Sequence, residues 1–142
     1  MSDAGPSTEL VSQCQSRWAP IGFTTRSVAV NGVDIHVAEG GSGEPLLLLH
    51  GYPQSGECWR SVAPQLALGG RRVVIPDLRG MGLSGITQDG YELPDLAEDL
   101  HQLVDVMGHD WGGAVAAVYA LRHRTEVRRL AFIESAVGGA GF

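Results

Sequence analysis

The sequence predicts an α/β fold with a mainly parallel sheet, and three observations carry that prediction. Two β-rich runs, Thr24 to Val30 and Val33 to Ala38, flank Asn31-Gly32. Strand-like runs built on unbroken apolar stretches recur at Leu46 to Leu49, at Arg72 to Pro76 through Val73 to Ile75, and at Val127 to Ile133 through Leu130 to Ile133. Stretches with helical spacing lie between these runs. A hairpin followed by alternating strands and helices is the pattern of a parallel sheet covered on both faces.

Each element has its own reason. Residues 1 to 20 show no apolar periodicity and read as a flexible leader, with residues 21 to 142 as one domain part. Asn-Gly suits a two-residue hairpin turn, because both central positions need positive φ. The runs at Leu46 to Leu49 and at Val73 to Ile75 are apolar throughout, as strands buried on both faces are. Trp59, Val62 and Leu66 suggest a helix after the first of them. Leu96, Leu100, Leu103 and Met107 recur at helical spacing, with Asp95, Glu98 and Asp99 near the start, where acids suit the helix dipole. Ala114 to Leu121 is apolar all round and predicts a buried helix.

Composition excludes several function classes. Of the 142 residues, 44% are hydrophobic and 18% charged, a globular balance. The formal net charge is −6 and no basic run exceeds two arginines, which argues against a nucleic-acid partner. Cys14 and Cys58 are far apart and lack metal-ligand spacing, so two free thiols are expected. The first twenty residues lack the apolar core of a signal peptide, and no apolar run is long enough to span a membrane. The expectation is a soluble cytoplasmic protein; oligomeric state is left open.

In parallel sheets chemistry collects at the carboxyl ends of the strands. Three segments there hold unusual residues: Leu49-His50-Gly51-Tyr52-Pro53-Gln54, Asp77-Leu78-Arg79-Gly80-Met81-Gly82-Leu83-Ser84, and Gly108-His109-Asp110-Trp111-Gly112-Gly113. Gly-x-Asp-x-Gly is the nucleophile-elbow pattern with aspartate in place of serine. Taken alone, Asp110 could equally be an ordinary helix N-cap.

In that order the three segments resemble the α/β-hydrolase family, and GHDWGG together with HGYP resembles the epoxide hydrolases. The resemblance runs from about Gly22 to Gly138. It implies a small-molecule substrate, an epoxide or related electrophile, whose carbon the Asp110 carboxylate attacks to form an alkyl-enzyme ester, which an activated water then cleaves. It implies no cofactor and no metal, because that chemistry needs only carboxylate, imidazole and water. It implies an oxyanion hole from the backbone N–H groups of Tyr52 and Trp111, and a substrate pocket touched by Tyr52, Pro53 and Trp111. The Trp111 side chain alone could equally be a core aromatic. Glu134, after the last strand, matches the family's orienting acid; the alternative is a strand-end acid that meets solvent or caps a loop. His50, Gly51, Asp77, Arg79, Gly108 and Gly112 are expected to support the site.

Two departures qualify the resemblance. The triad order is nucleophile, acid, histidine, yet among the 32 residues after Asp110 the histidine is His123, about three helical turns along the following helix. The chain therefore reads as the N-terminal part of such a fold, ending before the cap domain and the histidine base. The helical spacing also continues through Met107 into the elbow, leaving no room for the expected strand. Deletion of that strand is the preferred expectation; a short strand from Leu103 to Met107 is the alternative. Such a chain is expected to be weakly stable and inactive in turnover. The competing functions are a dehalogenase with the same aspartate attack, and a non-catalytic hydrolase-fold protein or binding module.

Overall fold

The computed structural model describes residues 6–100, 106–125, 127 and 129–133. In chain order the elements are α1 (Thr8–Trp18), β1 (Phe23–Val30), β2 (Val33–Gly41), β3 (Glu44–Leu49), α2 (Ala63–Leu68), β4 (Arg71–Pro76), α3 (Leu93–Asp99), β5 (Val106–His109), α4 (Trp111–Arg122) and β6 (Leu130–Ile133). The six strands form one sheet in the order β1-β2-β4-β3-β5-β6. β1 and β2 pair antiparallel, as do β2 and β4; the β4-β3, β3-β5 and β5-β6 pairs are parallel. At the hairpin Asn31 and Gly32 have φ of 45° and 75°, the positive pair that the turn demands.

The apolar strands are buried on both faces, and their alternation sorts them into two layers. Leu47, Leu49 and Val74 point to one side and meet Leu96, Ala97 and Leu100 of α3 and its cap, with Val115, Ala116 and Tyr119 of α4. Leu46, Leu48, Val73 and Ile75 point to the other and meet Trp18, Phe23, Trp59 and Ala63. Successive strand side chains face opposite ways, so an unbroken apolar run needs a cover on each side. Burying each such aliphatic side chain contributes about 1.5–3 kcal/mol.

Two expectations are corrected. The expected leader holds helix α1, capped by Ser7, whose hydroxyl accepts from the Leu10 N–H at 3.3 Å. It docks through a single large apolar side chain, Trp18, whose ring lies 5.4 Å from that of Phe23. Gln15 adds a polar tie, accepting from both the N–H and the hydroxyl of Thr25 at 2.7 Å. One anchor gives no periodicity, so the pattern is silent. The strand before the elbow, expected to be deleted, is present as the four-residue β5. Helix α3 stops at Asp99, with Leu100 as its cap. Val106, Met107 and Gly108 pair with Leu47, Leu48 and Leu49 on one side and with Leu130, Ala131 and Phe132 on the other. Ladder partners on both sides satisfy the backbone there, which outweighs the local helical spacing. Leu103 and His101 lie outside the described residues.

Candidate active site

Strands β3, β4 and β5 run parallel, so the segments that follow them converge at one end of the sheet. Asp110 is the hinge between β5 and α4. Its φ of 51° and ψ of −118° are rare for a residue with a side chain and cost about 1–3 kcal/mol. The carboxylate does not cap α4, although Asp110 occupies the N-cap position. Its Oδ2 instead accepts the backbone N–H of Tyr52 at 3.3 Å. Trp111 begins α4, so its N–H belongs to the first turn, where amides lack intrahelical acceptors.

Two glycines make this approach possible. A Cβ at Gly51 would stand 2.8 Å from both Cβ and Oδ2 of Asp110. A Cβ at Gly112 would stand 2.4 Å from the His50 carbonyl oxygen, which lets the first turn of α4 sit directly on the end of β3. Gly108 lies in β5 opposite Leu49. Pro53 follows Tyr52 through a cis peptide and is exposed.

His50 is fully buried and braces the loop. Its Nε2 accepts the Leu78 N–H at 2.9 Å, so Nδ1 carries the hydrogen and donates to the Gly51 carbonyl at 2.8 Å. Burial pushes its pKa below the ordinary imidazole value, against smaller opposing effects of the Gly51 carbonyl and Asp77. His50 is thus a neutral strut and not a base.

Asp77 ties the second loop down. It accepts from the N–H groups of Gly56 at 2.7 Å and Leu83 at 2.8 Å, and contacts His36 Nδ1 at 3.2 Å. Burial alone would raise its pKa, but these donors outweigh it and hold the carboxyl below its usual range. Ser84 donates to the Asp77 carbonyl and accepts from the His36 N–H. Arg79 forms a two-pronged pair with Asp99, donating from Nε at 2.9 Å and Nη2 at 2.7 Å, and also binds the Asn31 carbonyl at 3.2 Å. Above this floor Tyr52, Arg79, Met81, Tyr91, Leu96 and Trp111 line a cleft of about 350 Å³.

The α/β-hydrolase fold family model matches residues 44–139, a span that holds all three strand-end segments. The chain belongs to the α/β-hydrolase family. The chain is 41% identical over 124 residues to a soluble epoxide hydrolase of Corynebacterium sp. (strain C12), covering 82% of this chain and 43% of that protein. It is 37% identical over 126 residues to a fluoroacetate dehalogenase of Burkholderia sp., covering 80% and 41%. The ligand-free structure of the epoxide hydrolase CorEH superposes with a TM-score of 0.75 at 39% identity, covering 84% of this chain and 46% of that one. The chain thus spans less than half the length of the relatives it matches.

The fold brings together most of the residues that the sequence singles out. Asp110, Tyr52, Trp111 and Gly51 meet at the elbow, with His50, Asp77, Arg79 and Gly112 beneath or beside it. Glu134 lies outside the described residues; β6 ends one residue earlier at Ile133, paired with His109. Among the histidines with described side chains, His36 faces Asp77 and Cys14, and His123 stacks 4.8 Å from Tyr119 at the far end of α4. Among the described residues no group of three or more His, Cys, Asp or Glu is clustered as metal ligands, and no helix is long and apolar enough to cross a membrane. Sequence reasoning passed over Tyr91, which walls the cleft, and Asp99, the partner of Arg79. The available signal for Tyr91 was a lone aromatic closing a glycine-rich segment.

Proposed function

We propose that this hydrolase carries the nucleophile of an epoxide hydrolase. Asp110 Oδ attacks an epoxide carbon, the ring C–O bond breaks, and its electron pair stays on oxygen, which takes up a proton. The product is an alkyl ester of Asp110. Water then adds to the ester carbonyl carbon, and the alkoxide leaves as the second hydroxyl of a diol. The Tyr52 and Trp111 N–H groups stabilise the oxyanion of that second step. A carboxylate suits this chemistry because its ester can be reopened at its own carbonyl. Glu134 is assigned as the acid that orients a histidine base. The base itself, and the donor that protonates the epoxide oxygen, are assigned to the part of such enzymes that this chain does not span.

The observation that carries the reading is Asp110 itself, held at positive φ with its carboxylate on the Tyr52 N–H and not on its own helix. The kinship with a fluoroacetate dehalogenase supports a second reading, displacement of halide by the same carboxylate. A haloacid substrate would want a cation for its carboxylate. Arg79, the cation among the described cleft residues, is already committed to Asp99, which favours the uncharged epoxide.

The test is intact-mass and peptide analysis after incubation with an epoxide. One epoxide mass added to Asp110, absent in Asp110→Asn, is expected. An unmodified Asp110, or an adduct that persists in Asp110→Asn, overturns the reading. A matched haloalkane arm separates the two electrophiles.

A further inference from the structure

We propose that Tyr91 is the specificity-determining wall of the cleft, and that it selects an uncharged aryl group as the substituent on the electrophile. The proposal rests on the Asp110 reading only for the reaction; the binding preference stands apart from it.

Three aromatic side chains from three separate segments border the cleft: Tyr52 after β3, Trp111 at the start of α4, and Tyr91 just before α3. Met81 and Leu96 complete the apolar lining. Arg79 contributes its aliphatic stem, since its guanidinium is bound by Asp99, Asn31 and Thr87. A charged substituent lying against this apolar lining would give up part of its water with no opposite charge to meet it, an unfavourable exchange. A cavity of roughly 150 Å³ already holds benzene. The 350 Å³ found here accommodates a phenyl ring, and two of its lining residues, Tyr52 and Trp111, flank Asp110: Tyr52 through its N–H and Trp111 as the next residue in the chain.

Tyr91 differs from the other two aromatics in being held fixed through its hydroxyl. The hydroxyl donates to the Thr87 carbonyl and accepts from the Thr87 N–H, both at 2.9 Å. The edge of the ring lies over Gly80, where a Cβ would come within 2.6 Å of Cε1. Thr87 is fastened in turn, its hydroxyl donating to the Asp89 carbonyl at 2.6 Å and accepting from Arg79 at 3.3 Å. A ring immobilised before binding loses little freedom on contact, so its stacking energy is retained as affinity. The same two bonds occupy the hydroxyl, so Tyr91 offers the substrate its ring and not a proton.

Binding of inert diols to the full chain tests this without turnover. The probes are 1-phenylethane-1,2-diol and cyclohexane-1,2-diol, followed by tryptophan fluorescence. Trp18 and Trp59 are buried while Trp111 is 44% exposed, so the signal comes from the cleft, and Trp111→Phe should abolish it. The phenyl diol is expected to bind about fivefold more tightly, the worth of one aromatic pair. Tyr91→Leu should remove that ratio, and Tyr91→Phe, which keeps the ring but loses both hydroxyl bonds, should lower it part of the way. If Tyr91→Leu does not fold, the ratio in the unsubstituted chain and in Tyr91→Trp is read instead. A ratio near one in the unsubstituted chain, a ratio that survives Tyr91→Leu or is lost in Tyr91→Trp, or no phenyl-diol binding overturns the proposal. Loss of the Asp110 adduct with the binding ratio intact would sink only the nucleophile reading.

Discussion

The backbone N–H of Tyr52 meets Oδ2 of Asp110 at 3.3 Å, joining the loop after β3 to the hinge before α4 across 58 residues of sequence. The contact depends on Gly51, which leaves the space that the Asp110 side chain occupies. Gly51→Ala is therefore expected to push Asp110 out of line. Ester formation with an epoxide, followed by mass spectrometry, should slow at least about tenfold, equivalent to roughly 1.4 kcal/mol. Circular dichroism should stay close to that of the parent chain. An unchanged rate would show that the carboxylate does not need this position.

The buried Arg79–Asp99 pair predicts an asymmetric response to substitution. Both side chains are almost wholly enclosed, and Asn31 adds a donor to Asp99 at 3.0 Å. Arg79→Leu leaves the Asp99 charge buried without its main partner and should cost about 3–5 kcal/mol in urea unfolding. The double variant Arg79→Leu with Asp99→Leu should recover a large part of that loss. Two additive losses would contradict the pairing.

His50 predicts a pH dependence at mild acidity. Its folded pKa is depressed by burial, while the unfolded chain keeps an ordinary value near about 6.5. Below that value the unfolded state takes up a proton that the folded state refuses. Stability is therefore complete above about pH 6.5 and is lost as the pH falls from there towards the depressed folded value. Urea unfolding at pH 7.5 and at about pH 5.5 should display the drop. His50→Gln, which does not titrate, should flatten it over that interval, whatever its absolute stability.

The strand-end segments were legible because each motif couples chemistry to local backbone demands. Asp110 between Gly108 and Gly112, and Tyr52 after Gly51, announce sharp turns wherever they stand. Val106 to His109 was not legible, since its residues continue a helical spacing and only their two neighbouring strands make them a strand. Trp18 hid for the converse reason, a single anchor without repetition. Tyr91 showed only as a lone aromatic after a glycine-rich segment, because its role comes from Gly80 and Thr87, which position it only in the folded loop.

By itself the sequence determined the alternation of buried strands with helices, the Asn31-Gly32 turn and the order of the glycine-framed motifs, because each follows from short-range sterics and hydrophobic period. Only the tertiary structure decided that β5 exists, that Asp110 turns to the Tyr52 N–H instead of capping α4, and that Arg79 belongs to Asp99. Those outcomes depend on partners dozens of residues away, whose hydrogen bonds and packing outweigh what any local window prefers.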